Sequence, residues 1–387
     1  MSKVLIWEAL PFIAGGQRVA LQIANALTSK YECIFFVPGK GQLTEELEKN
    51  KIAYYEINIG NYNIGRKNIA DFIKYIIKSP YVISLAYKYI KKEKINLIYV
   101  NAARNFIWAS ILGSVLSIPV IWHVHNIFHD KKVIFIFKMF SSFKSIKKII
   151  FVSKATMDNF KCPEYKKTLI YNGIDLEIYK NIERSAIRQE YKINKFKRII
   201  VCVGWIMQSK NQKVLLDCIP IILKKDKNVH FLFIGGIRKG HENYFNYINN
   251  LTRSYKIEDY VTFTGHRKDV PQILNEAYLN IINSEEAFPF SLLESWASGV
   301  PTIGANIGGI KELITPYETG LLYKYNNYHD LAKKIIILLD SQDLYYYIKK
   351  RVKERIKEYS IQNFNNKILK IIDEVALYEN IINKSSI

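Results

Sequence analysis

The sequence predicts an α/β protein made of two Rossmann-like, doubly wound parallel-sheet domains, and three observations lead there. Short apolar runs alternate with longer helical ones along most of the chain, as parallel strands covered by helices on both faces require. Many of these runs are continuously apolar, which marks strands buried on both sides. The 387 residues suffice for two cores of ordinary size, and a polar, charged stretch near Asp175–Lys195 divides them.

Taken in order, the strands expected in the first domain are Lys3–Trp7, Glu32–Val37, Ala53–Ile57, Leu97–Val100, Val120–His125, Lys148–Val152 and Lys167–Tyr171. Those expected in the second are Arg198–Val203, His230–Ile234, Tyr260–Phe263, Leu279–Asn283, Thr302–Gly304 and Thr319–Leu322. Between them, helical periodicity covers Gly16–Leu27, Ile69–Lys94, Ala103–Leu116, Asn211–Lys224, Tyr244–Tyr255 and His329–Leu339. Ser153 reads as a helix N-cap and Asn172-Gly173 as a turn. The domains are therefore set at residues 1–185 and 186–359, with a last helical segment over 360–387.

With 49% hydrophobic residues and only 18 Gly and 10 Pro, the chain is globular rather than disordered. Cys33, Cys162, Cys202 and Cys218 show no paired spacing, so free thiols in a reducing compartment are expected and a zinc site is not. The start, MSKVLIWEALPF, reads as a first strand rather than a leader. No stretch has the 18 uncharged apolar residues of a spanning helix, so a cytoplasmic location is expected. The formal charge of +21 is uneven: residues 61–180 hold 20 basic and 7 acidic residues, a balance of +13. Such a surface suits nucleic acid, anionic lipid or a phosphorylated substrate. The segment Asp130–Ile149 interleaves six lysines with Phe and Ile. That pattern fits a helix lying at an anionic lipid surface, and equally a helix packed on its own sheet with its lysines in water.

The most informative stretch is Asn283–Gly309, NSEEAFPFSLLESWASGVPTIGANIGG. Phe288-Pro289 disfavours helix before it; from Phe290 the residues Leu292, Leu293, Trp296 and Ala297 recur at helical spacing until Ser298-Gly299. Glu286 lies on the loop at the helix mouth and Glu294 one turn inside. Between them stand the N–H groups of a helix start, which favour an anion such as a diphosphate. The carboxylates suit neutral hydroxyls, as on a ribose or a sugar.

This block resembles the retaining glycosyltransferases of family 4, whose Glu-x7-Glu motif lies in the second domain of the GT-B fold. Ser284, Glu286, Phe288, Glu294, Gly299, Pro301, Gly308, Gly309 and Glu312 fall into the pattern, with Ala287 in place of the common Gly. The segments VSKAT (Val152–Thr156) and IYNGID (Ile170–Asp175) match two further family segments. The resemblance implies two domains facing a cleft, with the last helix crossing back to the first domain.

It also implies roles. Lys210, in VGWIMQSKNQKVLL, matches the lysine placed on the donor phosphates, joined by the N–H groups near Phe290 and Ser291. Trp205 stands where the family usually has Arg, so a bidentate guanidinium contact to phosphate is lost. Glu294 holds the ribose and Glu286 the sugar hydroxyls, with Phe288 beside them. In IWHVHN, alternation sets His123 and His125 on one strand face, and His125 matches the family's sugar-contacting histidine. His123 and His129 read as structural. Gly15 and Gly16 line the cleft, and His266 and Arg267 lie near the base. No metal or cofactor is implied. Catalysis thus rests on His125, Lys210 and Glu286. The partners are a nucleotide sugar, a glycan or lipid-linked acceptor and an anionic membrane surface met peripherally, with no nucleic acid. Cell-surface polysaccharide synthesis is the expected setting. The alternatives are a non-catalytic GT-B subunit supporting an active partner, or an epimerase or phosphorylase on the same fold.

Overall fold

The computed structural model describes residues 1–60, 69–183 and 185–385. The first unit holds β1 (Ser2–Trp7), β2 (Tyr31–Val37), β3 (Ala53–Glu56), β4 (Leu97–Val100), β5 (Val120–Val124), β6 (Ile146–Phe151) and β7 (Lys167–Leu169). The second holds β8 (Arg198–Val203), β9 (Val229–Ile234), β10 (Val261–Gly265), β11 (Ala277–Ile282), β12 (Thr302–Ala305) and β13 (Gly320–Tyr323). Every strand matches one of the apolar runs.

The helices are α1 (Gly15–Leu27), α2 (Gln42–Lys49), α3 (Ile69–Glu93), α4 (Phe106–Leu116), α5 (Lys131–Ser141), α6 (Lys154–Asn159) and α7 (Ile187–Glu190). They continue as α8 (Gln212–Lys225), α9 (Glu242–Ser254), α10 (Val270–Asn275), α11 (Phe290–Ala297), α12 (Ile310–Leu313), α13 (Tyr328–Asp340), α14 (Gln342–Arg355) and α15 (Ile361–Ser385).

The sheets run β3-β2-β1-β4-β5-β6-β7 and β10-β9-β8-β11-β12-β13, with parallel pairings such as Ile6 opposite both Phe35 and Tyr99. In each, the chain begins in the middle, builds to one edge, then returns to build the other. The order therefore reverses between β1 and β4, and again between β8 and β11. Loops leaving the C-terminal ends of such a pair diverge to opposite faces and open a crevice between them. Each unit thus has one place where a ligand crevice is built by topology alone.

The division between units falls between Asn172 and Gly173, ahead of the boundary expected at 185/186. The reason is local pairing. Ile174 N donates to the Tyr359 carbonyl and Ile361 N donates to the Ile174 carbonyl, both at 2.9 Å, which ties the connector to the second unit. Asn172-Gly173, expected as a turn, instead leads straight into this bridge. The chain from Gln362 onward groups with the first unit. There Asp373 on α15 accepts from the Tyr31 hydroxyl at 2.7 Å and the Lys30 ammonium at 2.8 Å.

The basic run Asp130–Ile149 is not one helix. Asp130 caps α5 by accepting from Lys132 N at 2.8 Å, the helix ends at Ser141, and Ile146 already belongs to β6. The lysines mask a strand start, because Ile146, Ile149 and Ile150 are fully or almost fully buried while Lys147 and Lys148 are only partly so. The first core is strongly aromatic. Phe106 stacks on Trp122 at 4.4 Å and Tyr75 on Trp108 at 4.4 Å, rigid pairs beneath the strand ends. All four cysteines are free thiols. No helix among the described residues is long and apolar enough to cross a membrane.

Candidate active site

The reversal point of the second sheet brings together residues from two loops. The β8–α8 loop carries Lys210 in a short 3-10 turn that ends at Asn211, whose backbone is left-handed (φ 54°). The β11–α11 loop carries Ser284 and Glu286. Lys210 Nζ pairs with Glu286 Oε1, and the Ser284 hydroxyl donates to that same oxygen. The two side chains are 30% and 20% exposed, so the pair is partly withdrawn from water and reachable. One ammonium proton faces Glu286; two remain for other acceptors.

Glycines hold the Glu286 loop in place. A Cβ on Gly308 would lie 2.5 Å from the Glu286 carbonyl, and one on Gly309 would lie 2.3 Å from the Ala287 carbonyl. Gly309 N donates to the Glu286 carbonyl at 2.7 Å. The Gly-Gly of the motif is thus a backbone seat for the carboxylate loop, and Gly308 also needs its positive φ of 57°.

Helix α11 starts at Phe290, with Pro289 one residue outside it and no side chain capping it. The N–H groups of Phe290 and Ser291 precede the first intrahelical acceptors, and this end carries the positive pole of the helix. Glu294 lies one turn in, on the half-buried side. Phe288 is 8% exposed and packs edge-on against Phe290, the first residue of α11, at 5.9 Å. The helix ends at Ala297 and is followed by Ser298-Gly299, the stop expected from sequence, with Gly299 at φ 70°.

Trp205 is not core, since 38% of it is exposed. It leaves the end of β8 beside the β9–α9 loop, where a Cβ on Gly236 would stand 3.4 Å from the ring and the Arg238 guanidinium lies 5.7 Å from the ring centre. Arg238 thus brings a cation to the loop cluster where the family's Arg is replaced. Sequence reasoning missed it, as no motif marks it. His266 is exposed on the β10–α10 loop, its Cβ 3.5 Å from the position a Gly236 Cβ would take. Arg267 is committed elsewhere, bidentate to Asp269 at 2.8 Å and paired with Glu190 at 2.7 Å.

The first sheet carries a second cluster at its own reversal point. Glu8 ends β1, fully buried, and accepts from Asn101 Nδ2 at 2.5 Å, Gln17 Nε2 at 2.8 Å and Ala9 N at 3.3 Å. Asn101, just after β4, also donates from Nδ2 to the Gly16 carbonyl at 2.8 Å, and its Oδ1 meets His125 Nε2 at 2.8 Å. Gly15 and Gly16 form the first turn of α1, so they are a helix start rather than a free-standing turn. Burial pushes Glu8 up to about 7 and holds His125 down at about 3, so His125 is neutral across the physiological range. His123, buried and bonded through Nδ1 to the Tyr99 hydroxyl at 2.8 Å, is structural. His129 is exposed. Among the described residues, no group of three or more His, Cys, Asp or Glu is placed to hold a metal.

Residues 13–178 match the model of Glycosyltransferase Family 4, and residues 183–355 match that of glycosyl transferases group 1. Each half of the chain thus matches a glycosyltransferase model of its own. The chain is 31% identical over 191 residues to N-acetyl-alpha-D-glucosaminyl L-malate synthase of Bacillus anthracis, covering 49% of this chain and 48% of that relative. It therefore spans about half the length of that relative. It is 22% identical to the Escherichia coli UDP-Gal:alpha-D-GlcNAc-diphosphoundecaprenol alpha-1,3-galactosyltransferase, over 88% of this chain and 89% of that one. The crystal structure of Anabaena HepE in complex with UDP aligns with a TM-score of 0.84, covering 97% of this chain and 100% of the other at 18% identity. That likeness establishes the fold: two Rossmann-like parallel-sheet domains of the GT-B type.

Proposed function

We propose that this chain transfers a hexose from a nucleoside diphosphate sugar to a glycan or lipid-linked acceptor, with retention of configuration and without a metal. The observation that carries the reading is the Lys210–Glu286 pair beside the uncapped start of α11, at the reversal point of the second sheet. When the bond between the sugar C1 and the diphosphate oxygen breaks, the electron pair stays with the diphosphate. Lys210 and the Phe290 and Ser291 N–H groups stabilise that charge, and Arg238 adds a cation nearby. Glu286 binds sugar hydroxyls, Glu294 the ribose, and His125 a further hydroxyl of the sugar. The acceptor oxygen bonds to C1 and gives up its proton to the departing diphosphate oxygen, which has gained the electron pair.

The relatives support this reading. One is named for transfer of galactose from UDP-Gal onto a diphosphoundecaprenol-linked sugar, and the HepE structure holds UDP. A lipid-linked acceptor fits the exposed face of α5, where Lys131, Lys132 and Lys138 flank Phe135 and Met139, which are 62% and 53% exposed. On this view the protein works at the cytoplasmic face of a membrane in surface-glycan synthesis.

A panel of nucleotide sugars, with proton NMR of the anomeric signal in the product, tests the proposal. A product with the donor's anomeric configuration is expected. Inversion would overturn the retaining mechanism, and inertness toward every donor would favour the supporting-subunit reading, for which Trp205 in place of Arg speaks.

A further inference from the structure

A sugar contact for His125 leaves open how a neutral imidazole is made to accept or donate. The Glu8 cluster decides it. An ionised carboxylate has only acceptors, and Glu8 receives three donors: Asn101 Nδ2, Gln17 Nε2 and Ala9 N. Asn101 must turn its NH₂ toward Glu8, where the Gly16 carbonyl takes the second proton. Its Oδ1 is thereby fixed toward His125 Nε2 at 2.8 Å, and an amide oxygen can only accept. The proton on His125 is then forced onto Nε2, leaving Nδ1 as the ring's acceptor. Gln17 is itself oriented, because its Oε1 accepts from Ala14 N at 3.3 Å, which leaves Nε2 for Glu8.

We propose that Glu8 is a positioning residue that, through Asn101, holds His125 as the Nε2–H tautomer, so that Nδ1 accepts a hydrogen bond from a hydroxyl of the bound sugar. This rests on the proposed function for its last step only; the tautomer follows from the protein alone. The arrangement is a polarity relay: the acceptor oxygens of Glu8 and of the Gly16 carbonyl set the amide, and the amide sets the ring. The other titratable groups beside the cluster are Tyr99 and His123, joined to each other by a hydrogen bond and fully buried. The relay was invisible in sequence, since Glu8, Asn101 and His125 end three different strands.

The test uses full-length protein labelled with ¹⁵N-histidine and long-range ¹H–¹⁵N correlation spectra at mildly alkaline pH, with no ligand needed. His125 is expected as a single Nε2–H tautomer; an Nδ1–H ring in the wild type overturns the proposal whatever any variant does. In Glu8→Gln the new NH₂ opposes either Gln17 or Asn101, so the sense of the Asn101 amide is held by the Gly16 carbonyl alone, and an admixture of the Nδ1–H tautomer is expected. The double variant Glu8→Gln/Gln17→Glu restores the order. The carboxylate now at position 17 accepts from the amide now at position 8, whose oxygen again faces Asn101, and only the long contact from Ala9 N, 3.3 Å, loses its acceptor. It is expected to return the single tautomer, a rescue that a merely structural role for Glu8 would not give. An unchanged Nε2–H ring in the single variant, or no return in the double, overturns the relay.

With a working donor, Glu8→Gln should lower kcat in proportion to the Nε2–H tautomer lost, about twofold for an equal mixture, while affinity for the nucleoside diphosphate alone stays unchanged. A tautomer that behaves as stated while no sugar is ever transferred would leave the relay standing and sink the function instead.

Discussion

Replacing Lys210 by Met separates its electrostatic role from its bulk. The side chain gives Glu286 its counter-charge, and in the proposed complex it gives the diphosphate a charge-assisted hydrogen bond. Such a bond contributes about 1.5–3 kcal/mol, which corresponds to a roughly 10- to 150-fold loss of affinity. The carboxylate left without its partner would repel the incoming diphosphate and push the effect toward the upper end. Glu286→Gln in the same background should recover part of it. Isothermal titration of whichever nucleoside diphosphate binds, set beside its parent nucleoside, provides the readout. The diphosphate should weaken by the stated factor and the nucleoside hardly at all, because Lys210 meets only phosphate. Equal weakening of both, or no change in either, would refute the placement of Lys210 on the phosphates.

Other outcomes rest on the same geometry. The carboxyl of Glu8 is raised from its ordinary value to about 7 by burial, so the folded state holds a proton that the unfolded state has lost between about pH 4.5 and 7. The stability this gives is complete below pH 4.5 and lost as pH rises through 7, about 3 kcal/mol over the interval. The difference in urea-unfolding stability between wild type and Glu8→Gln should carry that slope, because the buried neutral histidines contribute equally to both. Gly309→Ala puts a methyl 2.3 Å from the Ala287 carbonyl, so the Glu286 loop must shift. Thermal unfolding should show a loss of about 1–3 kcal/mol, with donor turnover falling further than stability explains. Phe135→Ser with Met139→Ser should reduce co-sedimentation with anionic vesicles at low salt; undiminished binding would take α5 out of any membrane contact.

The fold was legible because buried parallel strands carry their burial in composition: Val4–Trp7 and Phe231–Ile234 are apolar runs that few helices of that length could match. β6 was the exception at its start, where Lys147 and Lys148 broke the run and lent the segment a helical look. In the second unit Glu286, Phe288, Phe290, Ser291 and Glu294 lay within one contiguous motif, and the structure brings Lys210, from a separate segment, into contact with Glu286 through the adjacent strands β8 and β11. Arg238 escaped notice because its place is set by the meeting of two loops, which sequence spacing does not encode. In the first unit no motif marks Glu8, which directly follows the first apolar run. Only the pairing of β1 with β4 and of β4 with β5 puts its neighbour and His125 within reach.

Docking of a diphosphate, without a metal, against the start of α11 beside Lys210 underlies every catalytic role proposed for this chain. Calorimetry of the wild-type protein in EDTA with UDP, GDP, ADP and CDP is the sharpest check. At least one should bind, and far more tightly than its nucleoside. Uniform absence of heat from well-folded protein, or binding that appears only on adding a divalent cation, would contradict it.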